Sequence, residues 1–368
     1  TIVPTSITYT YNGLRQFSFT VNIDEGSSND PTPEYSMNYV GRGTTVYGPS
    51  TFKPINVGTY QVSATLILDD LGTFNSTNSV DFTINKATPT LSVTNPTLTY
   101  TANTQSATLS SSVLGTTSNI HYNGSTNPPT NAGTYTITAD FAPNDGSNYH
   151  SLIGQSAGSF IISKAPVTIS NIVLTKVYDG TTNLLLIDKQ EAGIISGDNV
   201  VITGNATSFS NKIVANNYSS TVTFSLTTIP STGKENNYSI SGSNPILITN
   251  GSITKLPITI TASANTKVYD GTVSATATPT LTGSLASGDV GTYSETYDTK
   301  VQGTSKVLTP SATILDATSA SVIGNYSITY ATNTSGVITK LPITITASAN
   351  TKVYDGTVSA TATPTLTG

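Results

Sequence analysis

The chain has 368 residues, a formal net charge of −5 and only 10% charged residues, well below the usual quarter. Its acidic balance argues against nucleic acid or an anionic membrane as partner, because both need basic patches. With no cysteine, the chain has no disulfides, no thiol chemistry and no cysteine metal site. Hydrophobic residues make up 36% and include 19 tyrosines, enough for several small cores.

A long internal repeat determines the architecture. Residues 253–283 and 338–368 are the same 31-residue string, 85 positions apart. This period is too long for one rung of a solenoid, but it suits a small domain with its own core. The repeat therefore predicts a tandem array of domains, like beads on a string.

A boundary signature divides the array. A β-like stretch ends in lysine, and proline follows within three positions, at Lys86, Lys164, Lys255 and Lys340. Proline there suits a linker or the first residue of a strand, so no flexible Gly/Ser linker separates the repeats and we expect stiff joints. The signature gives repeat 1 (1–86), repeat 2 (87–164), repeat 3 (165–255), repeat 4 (256–340) and a truncated start of repeat 5 (341–368).

Between these boundaries the sequence is typical of strands. β-Branched or aromatic residues alternate with Thr and Ser in 58–68, 133–141, 166–174, 257–262 and 342–347. Asn-Gly and Asp-Gly pairs supply the hairpin turns. The best helical candidate, 186–194, is one or two turns long. The sequence therefore predicts an all-β chain of small Ig-like or β-sandwich-type domains, each about 80–90 residues.

Repeats 1 and 2 share a set of motifs. These are an early tyrosine (Tyr11 in YNG, Tyr100 in YTAN), an Asn-x-Gly-Thr-Tyr strand start (56–60 and 131–135) and a Phe-x-Ile-x-Lys exit. Repeat 1 is longer between the first two motifs. We expect the extra residues to form a polar loop over 23–38, which is rich in Asp, Glu, Ser and Pro.

Repeats 3 and 4 and the final segment share another set. Thr-Lys-Val-Tyr-Asp-Gly-Thr recurs at 175–181, 266–272 and 351–357. In repeats 3 and 4 a Ser-Gly-Asp turn follows, which ends at Asp198 and Asp289, and an Asn-Tyr-Ser-Ile strand follows at 237–240 and 325–328.

Each residue type in these motifs has an expected role. We expect the aspartates of the Tyr-Asp-Gly motif to accept backbone N–H bonds in their own turn. An inter-repeat calcium shared with the Ser-Gly-Asp aspartate is the alternative, although the oxygen clustering that calcium requires is missing. We expect the tyrosines to fill cores, and Tyr269→Ala to cost about 3–5 kcal/mol. The motif tyrosines are Tyr178, Tyr269 and Tyr354.

These motifs carry a family resemblance that covers essentially the whole chain. KVYDGT, the SGD turn, NYSI and ITKLPITITA closely resemble the YDG-type repeat of bacterial surface adhesins. The YNG, NxGTY and FxIxKA units resemble the MBG repeats of large secreted adhesins. The resemblance implies all-β repeats of a long extracellular or cell-surface protein, including cargo of type IX secretion, without enzymatic activity.

Other motifs favour ordinary structural roles. Gly154-Gln-Ser156-Ala-Gly158 matches a nucleophile elbow, but both histidines, His121 and His150, precede it and no helix follows. Two histidines without carboxylate or thiolate ligands make a weak zinc site. A Lys–Asn cross-link is not favoured as a general device, because repeat 2 has only the boundary Lys164 and no Glu. The Thr-x-Thr runs lack the short period of ice-binding faces. We therefore expect no catalytic, cofactor or metal residues.

The sequence is thus interpreted as a structural stalk or fibre segment of an extracellular adhesin, with the other domains of the same long chain as its partners. Two alternatives stay open: self-association into a homo-oligomeric filament, and direct binding of a host or surface glycan or another partner. We expect no membrane insertion, since no apolar stretch is long enough to span a bilayer.

The last 28 residues, 341–368, offer two or three strands with apolar positions, among them Ile343, Ile345 and Tyr354. An isolated hairpin is marginal in water. We expect this segment to dock on repeat 4 or to belong to a fifth domain, with strand addition to a neighbouring chain as the alternative.

Overall fold

A computed structural model describes residues 1–21, 34–67, 78–184 and 187–368. Within these ranges the secondary structure is β-strand, apart from two short 3₁₀ helices at Lys234–Asn237 and Ile323–Asn325. The strands form several separate small sheets. The prediction of an all-β tandem array of sandwich-type domains is therefore confirmed. No helix among the described residues is long and apolar enough to cross a membrane.

Each repeat contributes its own strands. The described part of repeat 1 holds β1 (Ile2–Pro4), β2 (Thr8–Thr10), β3 (Phe19–Val21), β4 (Glu34–Arg42), β5 (Gly58–Ile67) and β6 (Asn78–Asn85). Repeat 2 holds β7 (Leu91–Val93), β8 (Thr97–Thr99), β9 (Leu109–Ser111), β10 (Gly115–Tyr122), β11 (Gly133–Pro143) and β12 (Leu152–Ser163).

The strands of the second half follow a similar order. The described part of repeat 3 holds β13 (Ala165–Val173), β14 (Thr175–Val177), β15 (Asp188–Ala192), β16 (Val200–Ala206), β17 (Ala215–Thr228), β18 (Tyr238–Ile240) and β19 (Ile246–Thr254). Repeat 4 holds β20 (Leu256–Thr261), β21 (Thr266–Val268), β22 (Thr280–Thr282), β23 (Val290–Tyr297), β24 (Gly303–Leu315), β25 (Tyr326–Ala331) and β26 (Asn333–Thr339). The last segment holds β27 (Thr344–Thr346) and β28 (Thr365–Thr367).

The chain divides into two compact units. The first comprises Thr1–Pro166 together with Gly193–Val200 and Thr228–Ser239, and the second comprises Val167–Ala192, Val201–Thr227 and Ile240–Gly368. Two segments of repeat 3 thus belong to the same unit as repeat 2. These segments carry the residues that bond repeat 2 to repeat 3, as described below.

Every repeat contains a four-stranded sheet of one design. The strand orders are β2-β6-β5-β4, β8-β12-β11-β10, β14-β19-β17-β16 and β21-β26-β24-β23. The first strand in each order is only three residues long and runs parallel to the last long strand of its repeat. This short strand determines where the residue that follows it lies.

The cores follow the alternation in the sequence. In β11 the inward positions Ile137, Ala139 and Phe141 are buried while their neighbours are half-buried or exposed. Repeat 1 packs an aromatic core in which Phe82 contacts the rings of Phe17 and Tyr60. Period-two burial of this kind is what an antiparallel sheet with one covered face requires.

Two local predictions were wrong. Residues 34–38, expected in a polar loop, lie in β4, because Tyr39 and its neighbours pair with β5; residues 23–33 lie outside the described part. The extra length falls partly in the loop after Tyr39, which bridges to Ser50, whereas the equivalent Tyr122 bridges to Ser125.

The short-helix candidate at 186–194 instead contains strand β15, Asp188–Ala192. β15 pairs with β13, and Lys189 lies 2.7 Å from Glu191 in an ion pair. These two residues share one face only in an extended chain, where side chains alternate with a period of two.

The expected docking of 341–368 on repeat 4 is wrong for its side chains. β27 and β28 pair with one another, but Ile345 is 66% exposed and Tyr354 is 93% exposed. The apolar side chains of this hairpin are therefore exposed.

Candidate functional site

The recurring tyrosine of each repeat lies immediately after the short parallel strand. The backbone N–H of this tyrosine donates to the carbonyl of the residue before the boundary lysine at 2.8–2.9 Å, in the pairs Tyr11–Asn85, Tyr100–Ser163, Tyr178–Thr254 and Tyr269–Thr339. The tyrosine is thereby fixed at the end of its repeat where the chain continues into the next. This placement makes it a candidate joint residue.

The Lys-Val-Tyr-Asp-Gly-Thr loop holds the tyrosine of repeat 3 in place. Lys176 Nζ lies 2.7 Å from Asp179 Oδ1 and donates to the Thr181 carbonyl at 3.0 Å. Asp179 Oδ1 also accepts the backbone N–H of Thr181 at 2.9 Å, so the expected turn role of Asp179 is confirmed. Gly180 has φ +81°, a conformation that suits glycine.

The same loop recurs in repeat 4 and in the last segment. Lys267 Nζ lies 2.8 Å from Asp270 Oδ1, and Lys352 Nζ lies 2.7 Å from Asp355 Oδ1. Thr272 and Thr357 donate their N–H groups to these carboxylates at 2.9 and 3.0 Å. The loop therefore forms even in the exposed hairpin, so it is encoded locally.

A cluster of two tyrosines and one aspartate joins repeats 3 and 4, a contact called joint 3–4. Tyr178 Oη donates to Asp289 Oδ2 at 2.8 Å, and Tyr326 Oη donates to the same oxygen at 2.7 Å. The two rings meet edge-on with centroids 5.5 Å apart. Hydrogen bonds to a carboxylate each contribute about 1.5–3 kcal/mol, so this cluster is a substantial interdomain contact.

Joint 2–3 repeats this geometry and adds a lysine. Tyr100 and Tyr238 donate to Asp198 Oδ2 at 2.9 and 2.6 Å, and their rings are 5.5 Å apart. Lys234 Nζ donates to Asp198 Oδ1 at 2.6 Å. In joint 3–4 the corresponding oxygen, Asp289 Oδ1, is buried with no hydrogen-bond partner among the described residues.

An asparagine before the second tyrosine forms another bond in all three joints. The Oδ1 atoms of Asn148, Asn237 and Asn325 accept backbone N–H groups of the preceding repeat at 2.8, 2.7 and 3.0 Å. The donors are Val57, Ala132 and Val214, respectively. All three asparagines are buried. A buried side chain that satisfies a backbone group of its neighbour fixes the register between repeats.

The Asn-x-Gly-Thr-Tyr motif contributes to the same joints. Asn56 and Asn131 accept bonds from Asn148 Nδ2 and Asn237 Nδ2 at 3.3 and 3.2 Å. The motif tyrosine, Tyr60 in repeat 1, donates to the Asn56 carbonyl at 2.7 Å, which holds the turn in place. The motif therefore serves the contact between repeats as well as a strand start.

Joint 1–2 lacks the carboxylate. Tyr11 contacts Tyr149 edge-on with centroids 5.2 Å apart, and Lys86 Nζ donates to the Gly146 carbonyl. Among the described residues no aspartate accepts from the Tyr11 hydroxyl. The tyrosine–aspartate–tyrosine cluster is thus present where the following repeat carries a Ser-Gly-Asp turn.

The electrostatics of the clusters favour a neutral phenol and a charged carboxylate. Burial and the bond to Asp198 raise the pKa of Tyr100 to about 12, and burial with the bond to Asp289 raises the pKa of Tyr178 to about 12. Burial alone would raise the pKa of Asp198, but Lys234, Tyr238 and Tyr100 outweigh it and lower that pKa.

The structure corrects the assignment of the motif tyrosines to cores. Tyr178 is 1% exposed because Asp289 and Tyr326 of the next repeat cover it, whereas Tyr269 is 37% exposed. Tyr269 and Tyr178 have the same local sequence, so the difference comes from the neighbour. The core assignment of Tyr269 is therefore wrong, and the cost predicted from it loses its basis.

The other residues singled out from the sequence lie apart from the joints. Ser156 lies within β12, opposite Thr138 of β11, and not at a strand-to-helix turn. His121 Nδ1 lies 2.7 Å from the Asn119 carbonyl, while the backbone N–H of His150 donates to the Ala87 carbonyl. Across the described residues no three His, Cys, Asp or Glu side chains are grouped to hold a metal.

Models of known protein families match repeats 2, 3 and 4. A YDG domain matches residues 163–245 and again 254–335, and an MBG domain matches residues 89–166. The clusters of joints 2–3 and 3–4 fall within these matched ranges. Among curated proteins, no match is found.

Similar solved structures are cadherin-type ectodomains. The protocadherin gammaB7 EC3–6 cis-dimer is 10% identical, with 92% of this chain and 99% of that chain covered at a TM-score of 0.18. The protocadherin gammaB4 extracellular domain is 10% identical, with 95% and 69% covered at 0.16. Zebrafish RET cadherin-like domains 1 to 4 are 8% identical, with 84% and 66% covered at 0.14.

Proposed function

Because the chain is a tandem array that contains an MBG domain followed by two YDG domains, we propose that it is a structural segment of an extracellular or cell-surface bacterial protein. Its role is mechanical: the joints hold neighbouring domains in fixed relation, so that functional parts elsewhere in the protein are positioned. The segment carries out no catalysis and needs no cofactor.

One observation supports this role above the others. The recurring motifs of the chain, namely Asn-x-Gly-Thr-Tyr, Tyr-Asp-Gly, Ser-Gly-Asp and Asn-Tyr, contribute residues to the joints. In a domain that binds a ligand, recurring polar residues converge on a pocket. Here they converge on the neighbouring domain, which is what a structural array requires.

The linkers support the same role. A single residue, Lys255, separates β19 from β20, and Gly/Ser-rich linkers that behave as flexible coils are missing at the lysine boundaries. Because the connection between the strands of neighbouring repeats is short, a force applied along the chain is transmitted from one strand to the next. The joint hydrogen bonds then resist bending at each boundary.

The mechanical role is tested by holding the full chain in magnetic tweezers, below the force at which domains unfold. We expect the triple variant Asn148→Ala, Asn237→Ala and Asn325→Ala to fluctuate more in extension than the wild type, at unchanged domain unfolding forces. A matched control replaces three exposed asparagines, Asn127, Asn205 and Asn216. Equal compliance in the wild type and the joint variant would contradict the proposal.

The location is tested separately. Antibodies raised against the chain are applied to intact and to permeabilised cells of the source organism. The proposal expects labelling of intact cells or of the surrounding matrix. Labelling that requires permeabilisation would contradict an extracellular role, whatever the mechanical result.

A further inference from the structure

Repeat 4 ends in a surface equivalent to the one that repeat 3 uses in joint 3–4. This surface, called the Tyr269 face, comprises Tyr269, Gly271 and the backbone N–H of Gln302. Each has a counterpart in repeat 3, namely Tyr178, Gly180 and Val214. Gln302 is assigned by register, because Gly303 pairs with Ile338 as Ala215 pairs with Ile253.

The counterparts in repeat 3 are covered, and the Tyr269 face is not. A Cβ placed on Gly180 would lie 2.5 Å from the Ser287 carbonyl oxygen, whereas one placed on Gly271 meets nothing within 4 Å. Ser287 belongs to the Ser-Gly-Asp turn of repeat 4. The empty space at Gly271 is therefore the space that such a turn occupies in joint 3–4.

The loop that carries Tyr269 already has the conformation that the equivalent loop of repeat 3 has in joint 3–4. Lys267 bonds to Asp270 and to the Thr272 carbonyl at 2.8 and 2.9 Å, as Lys176 does in repeat 3. The glycines match as well, since Gly180 and Gly271 have φ of +81° and +80°. Because the loop already has the conformation that it has in joint 3–4, docking requires little reorganisation of the loop.

We propose that the Tyr269 face is a docking surface for the end of a YDG domain that carries a Ser-Gly-Asp turn and an Asn-Tyr dipeptide. The aspartate accepts from the Tyr269 hydroxyl, the tyrosine packs edge-on against the Tyr269 ring, and the asparagine accepts the Gln302 N–H. This inference rests on the proposed role of the clusters as joints.

The chemistry selects a YDG domain over an MBG domain as occupant. Tyr178 and Tyr100 both donate to an aspartate of a following YDG domain, Asp289 and Asp198. Repeat 2, which follows repeat 1, offers Tyr149 to the Tyr11 ring but no carboxylate. A Tyr269 face covered by an MBG domain would leave its hydroxyl without the charged acceptor.

The test builds the occupant from the chain itself. Residues 341–368 repeat 256–283, so a copy of 284–340 appended after Gly368 completes a domain identical to repeat 4. 3-Fluorotyrosine is placed at position 269, or at 178 as the internal control, and fluorine NMR with a soluble gadolinium chelate reports exposure of each ring.

In the 368-residue chain we expect the label at 269 to be broadened by the chelate and the label at 178 to be protected. In the extended chain, protection at 269 should rise to the level at 178. Changing the appended counterpart of Asp289 to Ala should restore exposure at 269. Hydrogen exchange should protect the appended strands as it protects those of repeat 4.

Each other outcome contradicts something specific. An exposed label at 269 in the extended chain, or an unprotected appended copy, would overturn the docking inference. Protection that survives the Asp-to-Ala change would overturn the aspartate as the recognition group. An exposed label at 178 in the unextended chain would instead contradict the proposed function, because joint 3–4 would not form.

Discussion

Tyr178 donates its hydroxyl to Asp289 at 2.8 Å across 111 positions of sequence. The two residues belong to recurring motifs of neighbouring repeats, Tyr-Asp-Gly and Ser-Gly-Asp. Tyr326 donates to the same Asp289 oxygen, so one carboxylate links the two domains. The motifs that identify these repeats therefore also supply the residues that connect one repeat to the next.

The two equivalent tyrosines offer a matched pair of substitutions. Tyr178→Phe removes a hydrogen bond to a carboxylate and should destabilise joint 3–4 by about 1.5–3 kcal/mol. Tyr269→Phe should change stability by less than about 0.5 kcal/mol, as is usual at exposed positions. Hydrogen exchange, resolved by repeat, measures both. Equal effects of the two substitutions would show that the local loop, and not the joint, sets the cost.

The two aspartates differ in their third partner. Asp198→Asn weakens two tyrosine bonds and leaves the ammonium of Lys234 without its counter-ion, whereas Asp289→Asn affects only the tyrosine bonds. We expect the loss at joint 2–3 to exceed that at joint 3–4 by about 1 kcal/mol, since Lys234 is 42% exposed and exposed ion pairs contribute little. Thermal unfolding measures the total loss of stability in each variant, and hydrogen exchange in a separate experiment shows which joint has lost it.

Joint 2–3 should be stable only within a window of pH. Because folding lowers the pKa of Asp198, its contribution is present above its ordinary value of about 4 and is lost as pH falls below it. Burial raises the pKa of Tyr100 from its ordinary value of about 10 to about 12. Its contribution to stability is therefore present below about pH 10 and is lost as the pH rises toward 12.

This pH window is measured by hydrogen exchange of the joint segments, corrected for the intrinsic exchange rate at each pH. Joint 2–3 of the Asp198→Asn variant serves as the control, because its amide does not titrate in this range. Parallel loss of protection in the wild type and the variant under acid conditions would indicate general acid unfolding and would contradict a specific role for Asp198.

A pair of glycines isolates the steric contribution of the joint. Gly180→Ala and Gly271→Ala share the same backbone strain, because both positions have φ near +80°. Only the first places a Cβ against the Ser287 carbonyl. We expect Gly180→Ala to cost more by about 1–3 kcal/mol, the range for overpacking. A cost equal to that of Gly271→Ala would mean that the Ser287 turn moves away from the added Cβ without a measurable loss of stability.

Much of the fold could be predicted from the sequence, because period-two alternation is a local signal and the 85-residue repeat is visible by comparing the sequence with itself. The turn role of Asp179 was likewise evident, since the aspartate, glycine and threonine that form it are adjacent. The insertion in repeat 1 was misplaced because composition alone cannot distinguish a polar loop from an edge strand such as β4.

The joints could not be predicted, because their partners are far apart in sequence and belong to different domains. Tyr178 and Tyr269 lie in identical seven-residue motifs, yet Tyr178 is buried and Tyr269 is exposed. No local pattern records which neighbour covers a residue. A signal was nevertheless present: Asn148, Asn237 and Asn325 each precede a tyrosine, and all three contact the preceding repeat.

Joint 3–4 is proposed to fix repeats 3 and 4 relative to one another. The chain has no cysteine, so Thr223→Cys and Thr309→Cys place two spin labels on exposed strand positions of neighbouring repeats. Double electron–electron resonance then measures the distribution of distances between them. We predict one narrow distribution that broadens when Asp289→Ala and Asn325→Ala are added. A distribution that is already broad without these changes, or that stays narrow with them, would contradict the claim.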